Sequence, residues 1–191
     1  AKRIAEYAAA GIACIACLPL IACIALILYA TSGRPILYSQ TRLGKYSRPF
    51  RMYKFRTMMP DAERDGAQWS SDNDSRTTPF GRFLRKTHLD ELPQLVNILK
   101  GEMSFVGPRP ERPEFQTLLE KKIPFYSYRH MVRPGVMGWA QMNYPYGASV
   151  DDAYEKLRYD LYYIKNRSFI LDVLIVMHSL KFLFVGSPRK I

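Results

Sequence analysis

The chain has 191 residues, 48% of them apolar and 13% aromatic, with 28 lysines and arginines against 17 acids and a formal net charge of +11. That length and content exclude two large domains and global disorder. The positive excess points to an anionic partner: nucleic acid, a phosphorylated ligand or an acidic membrane surface.

Ala8 to Ala30 is a run of 23 residues without a charge, preceded by Lys2, Arg3 and Glu6. As one helix it would be ~35 Å long, enough to cross a ~30 Å hydrocarbon core. Pro19 sits at its middle. A proline removes a backbone donor and crowds the preceding turn, so the sequence predicts two arms of ~16 Å, neither of which spans alone. A kinked spanning helix and a helix-break-helix hairpin therefore both remain open. From Thr31 to Pro60 there are seven basic residues and no acid, which assigns that flank to the cytoplasm. Lys2 and Arg3 make the other flank basic as well, which favours the hairpin. Cys14, Cys17 and Cys23 all lie in the apolar run. With no second ligand pair they read as small packing residues, and the cysteine-free remainder fits a reducing compartment.

Farther along, Ile36–Gln40 and Phe50–Phe55 read as strands of a hairpin around Gly44–Pro49. Asp61 to Thr78 is polar, a helix start followed by a loop. Pro79–Lys86 sets Phe80, Phe83 and Leu84 against Arg82, Arg85 and Lys86, an amphipathic helix suited either to a bilayer surface or to a core with a solvated basic side. Leu92, Leu95, Val96 and Leu99 give helical spacing to Leu89–Leu99. Asp151–Ile164 is helical and rich in tyrosine. Phe169–Val185 is apolar but interrupted by Asp172, His178 and Lys181, so it reads as a buried or interfacial helix.

Chemistry concentrates in a few segments. Asp90 and Glu91 are adjacent carboxylates at a predicted helix start, just after Arg82, Arg85 and Lys86. Cations and a positive helix end favour ionised carboxylates, able to act as acceptors, metal ligands or nucleophiles. In isolation a pair of this kind is more often there to satisfy a helix dipole, so context must decide. In Val106-Gly-Pro-Arg-Pro-Glu111, prolines on both sides of Arg109 restrict the backbone, as a phosphate clamp requires. Arg133-Pro-Gly135 repeats the combination. Lys54 and Arg56 share one face of the second strand. His88, His130 and His178 lack zinc spacing, and no Walker, dinucleotide or nucleophile-elbow motif occurs.

Together, Lys54–Met58, Phe80–Arg85, Leu89–Leu95, Asn97–Ser104, Val106–Glu111 and Arg133–Gly135 resemble the bacterial sugar transferases, the monotopic polyprenyl-phosphate phosphoglycosyl transferases. The likeness runs from about Arg3 to Gly186. Asn143–Gly147 and Tyr159–Asn166 are similar to the exopolysaccharide-initiating branch. The resemblance implies an α/β, mainly helical fold with a small β-hairpin or sheet. It also implies a re-entrant helix broken at Pro19 (residues 1–33) and a catalytic domain (residues 34–191) resting on the cytoplasmic face of the inner membrane through amphipathic helices. Leu18 stands where the family often has serine. Larger relatives carry an additional N-terminal membrane region, so the chain reads as a fragment or a short form.

The implied reaction moves a sugar 1-phosphate from a UDP-sugar to undecaprenyl phosphate, releasing UMP. Asp90 would be the nucleophile, forming a phosphosugar-aspartyl intermediate, and Glu91 with Asp90 would hold Mg²⁺. Arg109 would steady a phosphate, with Lys54, Arg56, Arg133 and Asp172 as further substrate-binding residues. Membrane lipid is an expected contact, an oligomer is left open, and nucleic acid is not expected. Two rival readings remain: a membrane-tethered phosphatase or nucleotide-sugar hydrolase using the same Asp90, and a basic nucleic-acid binder stacking bases on Trp69 and Trp139.

Overall fold

The computed structural model describes residues 2–62, 64, 66, 74–144, 147 and 149–185, with side chains up to 181. Trp69, Pro145, Tyr146, Gly186 and most of the loop expected between Asp61 and Thr78 lie outside the described residues. Two compact units emerge, one comprising Arg3–Gln40 with Arg51–Lys100, the other Lys2, Thr41–Phe50 and the chain from Gly101 onward.

In the first unit, α1 (Lys2–Ser32) is a single 31-residue helix that runs through Pro19 without interruption. The sequence predicts a break there. One proline removes one intrahelical bond and can be accommodated by bending, so helical backbone continues on both sides. Along the helix only Glu6, Ala10, Ile24 and Leu28 are buried, while Ile4, Ile12, Ile15 and Leu26 are each about 70% exposed. A helix this apolar and this uncovered suggests membrane association, and its length is sufficient to cross a membrane.

Ile24 and Leu28 form a core with Phe55 of β2 (Pro49–Phe55) and Leu84 of α2 (Pro79–Lys86). β2 pairs with β1 (Leu37–Leu43), giving the expected two-stranded hairpin. α2 opens on Thr78, whose hydroxyl accepts from the Gly81 N–H at 3.0 Å, and Pro79 fits the first helical turn. The helix expected across Leu89–Leu99 is divided: Leu89–Glu91 is a 3₁₀ turn, and α3 covers Gln94–Leu99. Pro93, which has no N–H to give, stands at the junction.

In the second unit, β3 (Ser104–Val106) and β4 (Gly135–Met137) pair in parallel, with Ser104 opposite Gly135 and Val106 opposite Met137. Leu119 of α4 (Pro113–Lys122) packs with Ile123, Tyr126 and Leu157 of α6 (Val150–Lys165). A second core joins Val106, Tyr163 and Ile175, the last from α7 (Phe169–Val185), with Trp139 and Met142 of α5 (Trp139–Asn143) at its margin. Ser149 and Asp152 make a reciprocal capping box that fixes the start of α6. α7 buries Asp172 and Ile175 and leaves Phe169, Ile170 and Met177 exposed, as an interfacial helix would. The short helices α4 and α5 and the parallel pair are not among the elements expected from the sequence.

Candidate active site

The carboxylate pair is built into the first unit. His88 takes a left-handed backbone conformation (φ 57°) that turns the chain out of α2 and starts the 3₁₀ turn. Leu89 and Leu92 then pack on the core of Ile24, Leu28, Phe55 and Leu84. Held between these two anchors, Asp90 and Glu91 are 6% and 9% exposed. They sit within two residues of side chains packed on the apolar helix.

Lys54 reaches Glu91, Nζ to Oε1 2.7 Å, in a pair with little solvent around it. At that burial the ammonium and carboxylate depend on each other, and removing one would leave the other uncompensated. Lys54 is placed by Asn97, which is fully buried. Its Oδ1 accepts from the Tyr53 N–H at 3.1 Å and its Nδ2 donates to the Arg51 carbonyl at 2.7 Å. One amide thus fixes the β2 backbone on the N-terminal side of Lys54. Arg56, predicted to share a phosphate with Lys54, donates to the carbonyls of Ser32, Gly33 and Arg34 instead, covering the open end of α1.

Asp90 and Glu91 suit Mg²⁺ by donor type. That ion is commonly held by one or two carboxylates together with substrate phosphates and water. Among the described residues there is no cluster of three or more His, Cys, Asp or Glu that would make an all-protein cage.

Arg109, Arg133 and Asp172 belong to the second unit. Both arginine loops lie on the β3–β4 pair, where two backbones touch. A Cβ on Gly135 would stand 2.1 Å from the Gly107 nitrogen, and one on Gly107 would stand 2.5 Å from the Arg133 carbonyl oxygen. Only glycine permits this approach, so the two glycines set the register between the segments that carry Arg109 and Arg133.

The Arg109 loop is also clamped from outside. Arg42 donates to the Pro110 carbonyl at 3.0 Å, and the Leu43 N–H to the Glu111 carbonyl at 2.9 Å. Arg129 donates to the Arg109 carbonyl at 2.9 Å while pairing with Asp160 at 2.9 Å. Burial works against the Arg129 charge, but Tyr126, Asp160 and Glu111 outweigh it and hold its pKa above the usual range. Next to it His130 meets the Gln116 side chain at 3.0 Å. Burial and the Arg129 charge push His130 down to about 4, so it is neutral in the fold. Asp172 accepts from the Tyr163 hydroxyl at 2.8 Å and pairs with Lys2 at 2.7 Å.

The sequence reading missed Asn97, Arg129 and Asp160 as residues that hold site segments. Asn97 and Asp160 stand in helical segments, where a polar side chain at a buried position is the available signal. Arg129 carries no such mark.

Residues 1–186 match the model of the bacterial sugar transferase family. The chain belongs to that family. It is 46% identical over 189 residues to a UDP-N-acetylgalactosamine-undecaprenyl-phosphate N-acetylgalactosaminephosphotransferase of Aeromonas hydrophila, covering 99% of this chain and 45% of the relative. It is 37% identical over 191 residues to a UDP-glucose:undecaprenyl-phosphate glucose-1-phosphate transferase of Escherichia coli K12, covering 99% and 40%. An exopolysaccharide production protein of Rhizobium leguminosarum is 40% identical over 164 residues, covering 83% and 82%. The chain thus spans less than half the length of the first two.

Proposed function

We propose that this bacterial sugar transferase moves a sugar 1-phosphate from a UDP-sugar to undecaprenyl phosphate, in the service of exopolysaccharide or another glycoconjugate. The observation that carries the reading is the buried Asp90–Glu91 pair beside Lys54, on a turn whose leucines pack against an apolar helix of membrane length. The Aeromonas and Escherichia relatives are named for undecaprenyl phosphate and for different sugars, so the proposed donor is a UDP-sugar with its sugar left open.

In the proposed sequence an Asp90 carboxylate oxygen attacks the sugar-side phosphorus of the diphosphate. The bond from that phosphorus to the bridging oxygen breaks, and UMP leaves with its electron pair. An oxygen of the lipid phosphate then attacks the same phosphorus and returns Asp90 as a carboxylate. Lys54 holds Glu91 in place through their ion pair. Asp90 and Glu91 would hold Mg²⁺, which supplies charge neutralisation at the diphosphate. Arg109 steadies a phosphate from its clamped loop, with Arg133, Lys54 and Asp172 in supporting binding roles.

For topology, the proposal is a re-entrant α1 with both ends on the cytoplasmic face. Lys2 pairs with Asp172, and the Ser32–Arg34 carbonyls accept from Arg56, so each flank of the helix is tied to polar groups of the following chain. Single cysteines at positions 2 and 34 should label from the same side of inverted vesicles, whereas labelling from opposite sides would establish a spanning helix.

Incubation with UDP-sugar in the absence of acceptor, followed by digestion and peptide mass measurement, should find a sugar-phosphate adduct on the Asp90 peptide. Asp90→Asn should remain folded, carry no adduct and lose activity by roughly 10⁴-fold or more. An unmodified Asp90 peptide throughout turnover would overturn the covalent step. Free sugar phosphate with no lipid-linked product would instead identify a hydrolase.

A further inference from the structure

A groove in the second unit, of about 200 Å³, is lined by Trp139, Met142 and Asn143 of α5 and by His178 and Lys181 of α7. It has room for one ring and not for a whole nucleotide sugar, since pockets for ligands of that size begin near ~300 Å³. Trp139 is the residue on which the nucleic-acid reading would stack a base, and the proposed reaction leaves it without a task. Its indole is held ready. The ring stacks on Tyr162 with 6.0 Å between centroids and 23° between planes, and the Ser179 hydroxyl lies 3.4 Å from the Met142 sulfur, joining the two walls. Stacking on a fixed aromatic ring costs little ordering and accepts any base.

The groove adjoins a phosphate-holding loop of the same unit. Gly138, directly before Trp139, comes so close to Gly107 that a Cβ would stand 2.7 Å from the Gly107 carbonyl oxygen, and Gly107 is two residues from Arg109. An aromatic platform and a phosphate-holding arginine therefore spring from one backbone contact.

The amide of Asn143 selects among bases. Its Nδ2 donates to the Trp139 carbonyl at 2.8 Å, so the amide cannot turn over without losing that bond, and Oδ1 is the side it offers. An acceptor there suits uracil, whose N3 carries a hydrogen between two carbonyl oxygens, and opposes cytosine, whose N3 is itself an acceptor. The Lys181 ammonium, a donor only, suits a carbonyl oxygen and opposes the cytosine amino group. A hexose, with a hydroxyl on most of its carbons, would leave several unpaired against Trp139 and Met142.

We infer that the groove between α5 and α7 holds the uracil ring of the nucleotide donor, with Asn143 reading its N3–H. The inference rests on the proposed UDP-sugar reaction and adds base recognition to it.

Asn143 and Lys181 are exposed, so their replacement leaves the cores intact. The full chain in detergent is titrated with UMP, CMP and glucose 1-phosphate by calorimetry, and lipid-linked product from the UDP-sugar is assayed in parallel. The wild type should bind UMP ahead of CMP. Asn143→Ala should bind UMP roughly fivefold more weakly, as expected for one neutral hydrogen bond, and lose the preference over CMP. Lys181→Met should also weaken UMP. Equal UMP binding by the wild type and both variants, with product still formed, overturns the groove assignment and leaves the reaction standing. Weakening confined to glucose 1-phosphate overturns it in favour of a sugar subsite. No UMP binding and no product, even from the wild type, would overturn the inference together with the proposed function.

Discussion

The two units hold their charged residues by different means. In the first, the Asp90–Glu91 turn is pinned by leucines on an apolar core, and Lys54 is placed by the side-chain amide of Asn97. In the second, the Arg109 and Arg133 segments are joined backbone to backbone through Gly107 and Gly135 and braced by the buried Arg129–Asp160 pair. The Asp90–Glu91 turn therefore depends on its apolar neighbours, whereas the backbone contact at Gly107 and Gly135 keeps the Arg109 and Arg133 segments in register with no side chain able to yield.

That contrast predicts a hierarchy of damage. Gly135→Ala should be the most severe, because the new methyl falls on the Gly107 nitrogen and the Met137 carbonyl oxygen, at 2.1 and 2.6 Å, where no flexible side chain can yield. A loss of about 3 kcal/mol or more is expected, read as a large fall in melting temperature in detergent. If Gly135→Ala melted like the wild type, the two arginine loops would not be in backbone contact.

Arg129→Met should cost about 3–5 kcal/mol by leaving Asp160 buried without its cation, with Arg129→Lys restoring part of it. Asn97→Leu, in the other unit, should cost about 2 kcal/mol, because the Tyr53 N–H and Arg51 carbonyl lose a buried partner. Its distinguishing sign is activity falling further than stability, through Lys54. Parallel losses of both would reduce Asn97 to a packing role.

One further effect, a loss of stability conditional on pH, is absent at neutral pH and above. His130 is held near 4 in the fold against an ordinary value of 6.5, so the unfolded chain takes up its proton first as pH falls. The associated stability is complete above about 6.5 and is lost as pH drops toward 4, amounting to about 3 kcal/mol at most. His130→Gln should flatten the melting temperature across that window. An unchanged slope would show that His130 is not neutral in the native protein.

Much of this was legible beforehand. The apolar run, the hairpin, α2, α6 and α7 follow from local patterns of two and 3.6 residues, which the chain displays without help from tertiary contacts. The Asp90–Glu91 pair and the Arg109 and Arg133 loops were conspicuous because proline, glycine and adjacent charges are rare in combination. Less legible was the interruption at Pro93. The leucine spacing continues across it, yet the missing N–H divides a predicted helix into a 3₁₀ turn and α3.

Sequence alone therefore determined where adjacent carboxylates and proline-flanked arginines are concentrated and that one N-terminal run is apolar at membrane length, since both are properties of composition along the chain. Tertiary structure decided what each charge does. It gave Glu91 to Lys54, turned Arg56 to the end of α1, and recruited Asn97, Arg129 and Asp160 as supports. The reason is that a buried polar group must find a partner at about 3 Å, and which groups come that close depends on how distant segments pack.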